Sequence, residues 1–205
     1  MLKARLGHDF DERIARAVPF LFHPRVHPNV LSVLGVVVSL VGAWAFAEGA
    51  FRAGAVIVLL GGGFDLVDGV VARRQGRVTS FGGFLDSSLD RVVDMALLLG
   101  LVLHYATQGA LPLAWLAALA LVATVMVSYT KARAESVLPG FEGGLLERAE
   151  RIAILVLGGL TGWMPLALGV VAVGSGITAG QRIALAHRLM RELDRNREQE
   201  APHVV

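Results

Sequence analysis

Six stretches of this chain approach the roughly 20 apolar residues that a helix needs to cross a bilayer. They are residues 29–48, 54–73, 84–103, 111–130, 152–163 extended backward, and 165–185, and they leave room for one domain only. Hydrophobic residues make up 55% of the 205 and mean hydropathy is +0.62, more apolar than a soluble domain of this size needs to be. The chain therefore reads as an all-α integral membrane protein with six transmembrane helices. No basic, apolar and small-residue leader is visible and there are no cysteines, so the first span is expected to act as its own anchor.

Before that span, "HDFDERIARAVPFLF" alternates charged and apolar positions at a helical period, which predicts an amphipathic helix lying in the membrane interface. The organisation expected is an N-terminal interfacial segment over residues 1–28, a six-helix membrane domain over 29–190 and a charged cytoplasmic tail over 191–205, which frays or lies on the surface. Cytoplasmic helix ends are enriched in Lys and Arg. With the N-terminus inside, every one of the 19 lysines and arginines falls in an inner segment except Arg52 and Arg91. Both termini then come out cytoplasmic, in a multi-pass protein of the cell membrane.

Against this background four aspartates stand out. Asp65 and Asp68 lie three apart on the second apolar stretch, Asp86 and Asp90 four apart on the third, so each pair shares a helix face at the cytoplasmic end. The short arm between the two stretches makes their helices antiparallel neighbours, and Gly69, Gly82 and Gly83 are expected to let the backbones approach. Converging carboxylates repel unless they are protonated or hold cations. Oxygen-only donors favour hard divalent ions such as Mg²⁺ or Mn²⁺, and four carboxylates can bridge two of them, as in two-metal phosphoryl transfer. The blander alternatives are ion pairs with Arg73, Arg74 and Arg91, or the lining of a cation pathway in a transporter. A transporter of the inverted-repeat kind would carry a second acidic, interrupted segment in its other half, and none appears.

The string Asp65-x-x-Asp68-Gly69-x-x-Ala72-Arg73, then eight residues, then Gly82-x-x-x-Asp86-x-x-x-Asp90 resembles the full signature of the CDP-alcohol phosphatidyltransferases. These are six-helix membrane enzymes, often dimeric, that move a phosphatidyl group from a CDP-linked lipid to an alcohol and release CMP. "HPNVLS" at residues 27–32 is similar to the family's Pro-Asn entry into its first helix, where Asn29 would otherwise be read as an N-cap. The resemblance implies Asp65, Asp68, Asp86 and Asp90 as ligands of two Mg²⁺ or Mn²⁺ ions, with Asp90 also the catalytic base. It implies Asn29, Asp68, Gly69, Ala72, Arg73 and Gly82 as the CDP-lipid site, the active site facing the cytoplasm, and a homodimer. No nucleic acid is expected as a partner.

For the acceptor, Lys-Ala-Arg-Ala-Glu at residues 131–135, Glu-Arg-x-Glu-Arg at 147–151 and Gln-Arg at 181–182 are similar to the phosphatidylinositol-phosphate and archaetidylinositol-phosphate synthase branch. That resemblance implies Lys131, Arg151 and Arg182, with Arg133 beside them, as the residues that bind the phosphate of inositol phosphate. The donor would be CDP-diacylglycerol or CDP-archaeol. Glycerol 3-phosphate is the alternative acceptor for the same chemistry.

Overall fold

A computed structural model describes His23 and residues 26–200. Six helices occur there: α1 (Pro28–Ala47), α2 (Phe51–Arg74), α3 (Ser80–Thr107), α4 (Leu111–Glu135), α5 (Arg148–Thr161) and α6 (Met164–Glu200), with no strand among the described residues. Each expected span falls on one of them. The amphipathic segment expected before α1 lies outside the described residues. Four helices, α1, α2, α4 and the Met164–Asn196 part of α6, are long and apolar enough to cross a membrane. Of the other two, α3 carries Asp86, Asp90 and Arg91 in its first half and Asp94 at the start of its second, and α5 has 14 residues, a length of only about 21 Å.

The chain divides into two compact units, Met1–Gly100 and Leu101–Val205. In the first, α1 packs on α2. Val30, Val33, Val37, Val41 and Trp44 form an exposed apolar stripe on α1, the composition of a lipid-facing surface. The opposite stripe is small. Gly35, Ser39 and Gly42 meet Gly54, Val58 and Gly61 so closely that a methyl group on Gly35 would stand 3.0 Å from the Gly61 carbonyl oxygen, and one on Gly54 3.0 Å from that of Gly42. Apolar association is not driven by water inside a bilayer, so this close backbone packing is what holds such helices together. Gly100 of α3 meets the Ala43 backbone in the same way.

Helix α2 ends in a Schellman motif: the Arg77 amide donates to the Ala72 carbonyl at 2.9 Å and the Gly76 amide to that of Arg73 at 3.3 Å, with Gly76 at φ +62°. The turn leaves a link of five residues, 75–79, before Thr79 caps α3 by accepting from the Gly82 amide at 3.0 Å.

In the second unit α4 and α5 both pack on α6. The buried stripe of α4 is mostly alanine (Ala114, Ala117, Ala120) and faces a core with Leu168 and Val171. The charged tail expected from residue 191 onward is continuous helix as far as Glu200. At 37 residues α6 is about 55 Å long, well beyond a hydrocarbon core of about 30 Å. Its polar end is supported along the helix, as by the Arg188–Glu192 pair at 3.5 Å, a spacing that favours continuation over fraying.

Candidate active site

The α1–α2 seam runs in antiparallel register, Gly42 against Val58, Ser39 against Gly61 and Gly35 against Phe64 and the Asp65 amide. The next rung towards the end of α2 brings Ser32 to Asp68, and the Ser32 hydroxyl donates to Asp68 Oδ2. Asp68 is 7% exposed. Around it, Asp65, Asp68 and Asp86 each offer a carboxylate oxygen within 4.8 Å of the others, an arrangement able to hold a metal ion. The donor set, all hard oxygen and strongly anionic, fits Mg²⁺ or Mn²⁺. Asp90 follows one turn after Asp86 on α3 and lies outside this trio.

Beside the trio opens a pocket of about 270 Å³. Every residue expected at the CDP-lipid site (Asn29, Asp68, Gly69, Ala72, Arg73 and Gly82) lines it, together with Asp86. Asn29 is not the N-cap of α1. That position belongs to His27, Pro28 opens the helix, and Asn29 lies inside the first turn. The glycines differ from expectation in a more informative way. A methyl group on Gly83 would meet nothing within 4 Å, one on Gly69 only Arg73 Nη1 at 3.3 Å, and one on Gly82 Thr79 Oγ1 at 3.1 Å and Asn29 Oδ1 at 3.7 Å. None of them sets a helix–helix distance. Gly69, Gly82 and Gly83 line the pocket and keep it open, and the close backbone contact lies instead on α1 and α2. Ser32, Arg77 and Thr79 also line the pocket and were not singled out from sequence. The cap position of Thr79 is the signal that points to one of them.

The basic residues assigned to the acceptor all belong to the second unit. Arg182 is 4% exposed and Arg151 3%. Arg182 donates from Nη1 to the Val127 carbonyl and from Nε to that of Gly143, both at 2.7 Å, and its Nη2 stands 3.8 Å from Glu147. The loop before α5 is fastened again where the Leu146 amide donates to Thr178 Oγ1 at 2.9 Å. Arg151 donates to the Leu146 carbonyl at 3.4 Å, on the loop residue whose amide is bound by Thr178 one turn from Arg182. Two buried guanidinium groups of like charge in one neighbourhood are costly unless anions offset them. Lys131 and Arg133 are placed differently: Lys131 pairs with Glu135 at 3.9 Å, and Arg133 is exposed and donates to Ser136 Oγ at 3.3 Å. A separate groove of about 370 Å³ between α5 and α6, walled by Ile154, Leu157, Leu166 and Val170, is mainly apolar, and the Thr161 hydroxyl on its wall donates to the Leu157 carbonyl at 2.7 Å.

Residues 25–181 match the family described as CDP-alcohol phosphatidyltransferase. A phosphatidylinositol phosphate synthase of Streptomyces avermitilis is 40% identical over 190 residues, covering 85% of this chain and 78% of its own. An archaetidylinositol phosphate synthase of Methanothermobacter thermautotrophicus is 40% identical over 136 residues, 66% of this chain and 67% of its own. Crystal structures of the Mycobacterium tuberculosis phosphatidylinositol phosphate synthase superpose with a TM-score of 0.76 at 33% identity. The one with CDP-DAG bound matches 86% of this chain and 92% of its own, and the one with manganese and citrate matches 86% and 88%. The aspartate trio, the pocket beside it and these likenesses agree: this chain is an enzyme of the CDP-alcohol phosphatidyltransferase family, similar to the phosphatidylinositol phosphate synthases.

Proposed function

We propose that this enzyme transfers the phosphatidyl or archaetidyl group of a CDP-linked lipid to a hydroxyl of inositol phosphate and releases CMP. The observation that carries the reading is the carboxylate trio Asp65, Asp68 and Asp86 on the edge of a pocket that also presents Arg73. Asp65, Asp68, Asp86 and Asp90 would hold two divalent ions, which neutralise the diphosphate of the donor and the departing CMP. Asp90 takes the proton of the acceptor hydroxyl. The acceptor oxygen then forms its bond to the lipid-bearing β-phosphorus as the bond from that phosphorus to the bridging oxygen breaks, and CMP leaves with the bridging oxygen. Gly69, Ala72, Gly82 and Asn29 leave room for the nucleotide, and Arg73 offsets its charge.

A phosphorylated acceptor is favoured because Arg151 and Arg182 are buried cations, suited to a phosphate dianion, with Lys131 and Arg133 more exposed contributors. The likeness to phosphatidylinositol phosphate synthases supports inositol phosphate over glycerol 3-phosphate. The asymmetry of Lys and Arg along the chain supports six spans, with α3 and α5 crossing alongside the four more apolar helices, and both termini and the site at the cytoplasmic face of the cell membrane. The resemblance to the family is what supports a homodimer. The test is CMP release by purified protein from CDP-diacylglycerol or CDP-archaeol, with Mg²⁺ or Mn²⁺ and one acceptor at a time. Release with inositol phosphate that a chelator abolishes is expected. Release independent of divalent ions, or of any acceptor, overturns the proposal.

A further inference from the structure

Ser32 lies on none of the signature positions, yet it is bonded to a carboxylate of the trio. Its hydroxyl carries one proton and two acceptors are near it: Asp68 Oδ2 and, at 3.3 Å, the Pro28 carbonyl one turn back. An ionised carboxylate is the stronger acceptor, so the proton goes to Asp68. Asp68 is buried, which makes a fixed donor there more effective than one in water.

The geometry that delivers Ser32 is not local. Ser32 continues the small-residue stripe of Gly35, Ser39 and Gly42 by one step of three, and Asp65 and Asp68 continue that of Gly54, Val58 and Gly61 by steps of four and three. Helices held in near backbone contact along three rungs cannot drift at the fourth, so the short serine side chain reaches across 36 residues of sequence. Fixing one oxygen of a carboxylate fixes the plane of the group, and with it the direction of the other oxygen.

We propose that Ser32 is a positioning residue for the cation site: from the wall of the pocket it orients Asp68 for metal binding. The inference rests on the assignment of the trio as a metal site. Partners that orient metal ligands are worth about 10- to 100-fold in metal affinity.

The experiment is Mn²⁺ binding to the purified, detergent-solubilised protein without lipid substrate, read from the electron paramagnetic resonance of the free ion. Ser32→Ala should raise the Kd for Mn²⁺ about 10- to 100-fold, and Ser32→Thr, which keeps the hydroxyl, should stay within about threefold of the wild type. CDP binding measured without metal should change less in Ser32→Ala than Mn²⁺ affinity does, because Ser32 acts through Asp68. Wild-type Kd in Ser32→Ala, or a loss confined to metal-free CDP binding, overturns the proposal while leaving the metal site standing. If the wild type itself binds no Mn²⁺, the metal assignment fails first and the role of Ser32 with it.

Discussion

Three consecutive glycines, Gly61, Gly62 and Gly63, occupy one turn of α2, and the structure assigns them different fates on substitution by alanine. A methyl group at 62 or 63 meets nothing within 4 Å. There the change brings only the backbone gain of replacing glycine inside a helix, about 0.5–1 kcal/mol. At 61 the methyl would stand 2.9 Å from the Gly35 carbonyl oxygen and 3.1 Å from the Ser39 amide, with the Ser39 hydroxyl in the way as well. The hydroxyl can rotate away, but the two backbone groups cannot. Relief requires α1 and α2 to separate, an overpacking cost of about 1–3 kcal/mol. The two variants should therefore differ by about 2 kcal/mol, roughly 30-fold in the unfolding equilibrium. Unfolding in mixed micelles with rising dodecyl sulfate, followed by circular dichroism, measures the difference. Because separation also draws Ser32 away from Asp68, Gly61→Ala should weaken Mn²⁺ binding and Gly62→Ala should not. Equal stability and equal metal affinity in the two would refute the seam as the element that aligns the site.

Asp65→Asn and Asp86→Asn should each abolish CMP release at any accessible Mg²⁺ or Mn²⁺ concentration while the purified protein keeps its helical circular dichroism. Asp90→Asn should slow turnover about 10²- to 10⁴-fold through loss of the general base, yet equilibrium binding of CDP-lipid should persist through the remaining carboxylates. Arg151→Gln removes charge-assisted hydrogen bonds worth about 1.5–3 kcal/mol, so the acceptor KM in steady-state assays should rise about 10- to 150-fold while the KM for CDP-lipid holds. Arg182→Lys keeps the charge but loses the planar fork whose Nη1 and Nε serve the Val127 and Gly143 carbonyls, so the variant should lose thermal stability as well as acceptor affinity.

The helices were legible because apolar length marks where spans run, and the structure ends three of them at links with Gly49, Gly76 and Gly109 at positive φ. The trio was legible because spacing alone places Asp65 beside Asp68, and the short arm returns Asp86 to them. Ser32 was not, since one serine on an apolar helix is ordinary and its meaning depends on a partner 36 residues away. The glycines show the same limit. Small residues announce close approach without saying to what, and Gly69, Gly82 and Gly83 border the pocket whereas Gly35, Gly42, Gly54 and Gly61 carry the helix contact. The continuation of α6 beyond its apolar span was not legible, because charge after residue 185 marks the end of a membrane span, which is not the end of a helix.

The most direct test of the central claim is a competition in proteoliposomes containing CDP-diacylglycerol and Mn²⁺, with inositol 1-phosphate, glycerol 3-phosphate and free inositol present at equal concentration. Relative kcat/KM alone decides the products of such a mixture. Mass spectrometry of the extracted lipid should find phosphatidylinositol phosphate as the dominant new species, formed one for one with CMP. A product dominated by phosphatidylinositol would contradict the assignment of Arg151 and Arg182 to an acceptor phosphate, and one dominated by phosphatidylglycerophosphate would contradict inositol phosphate as the acceptor.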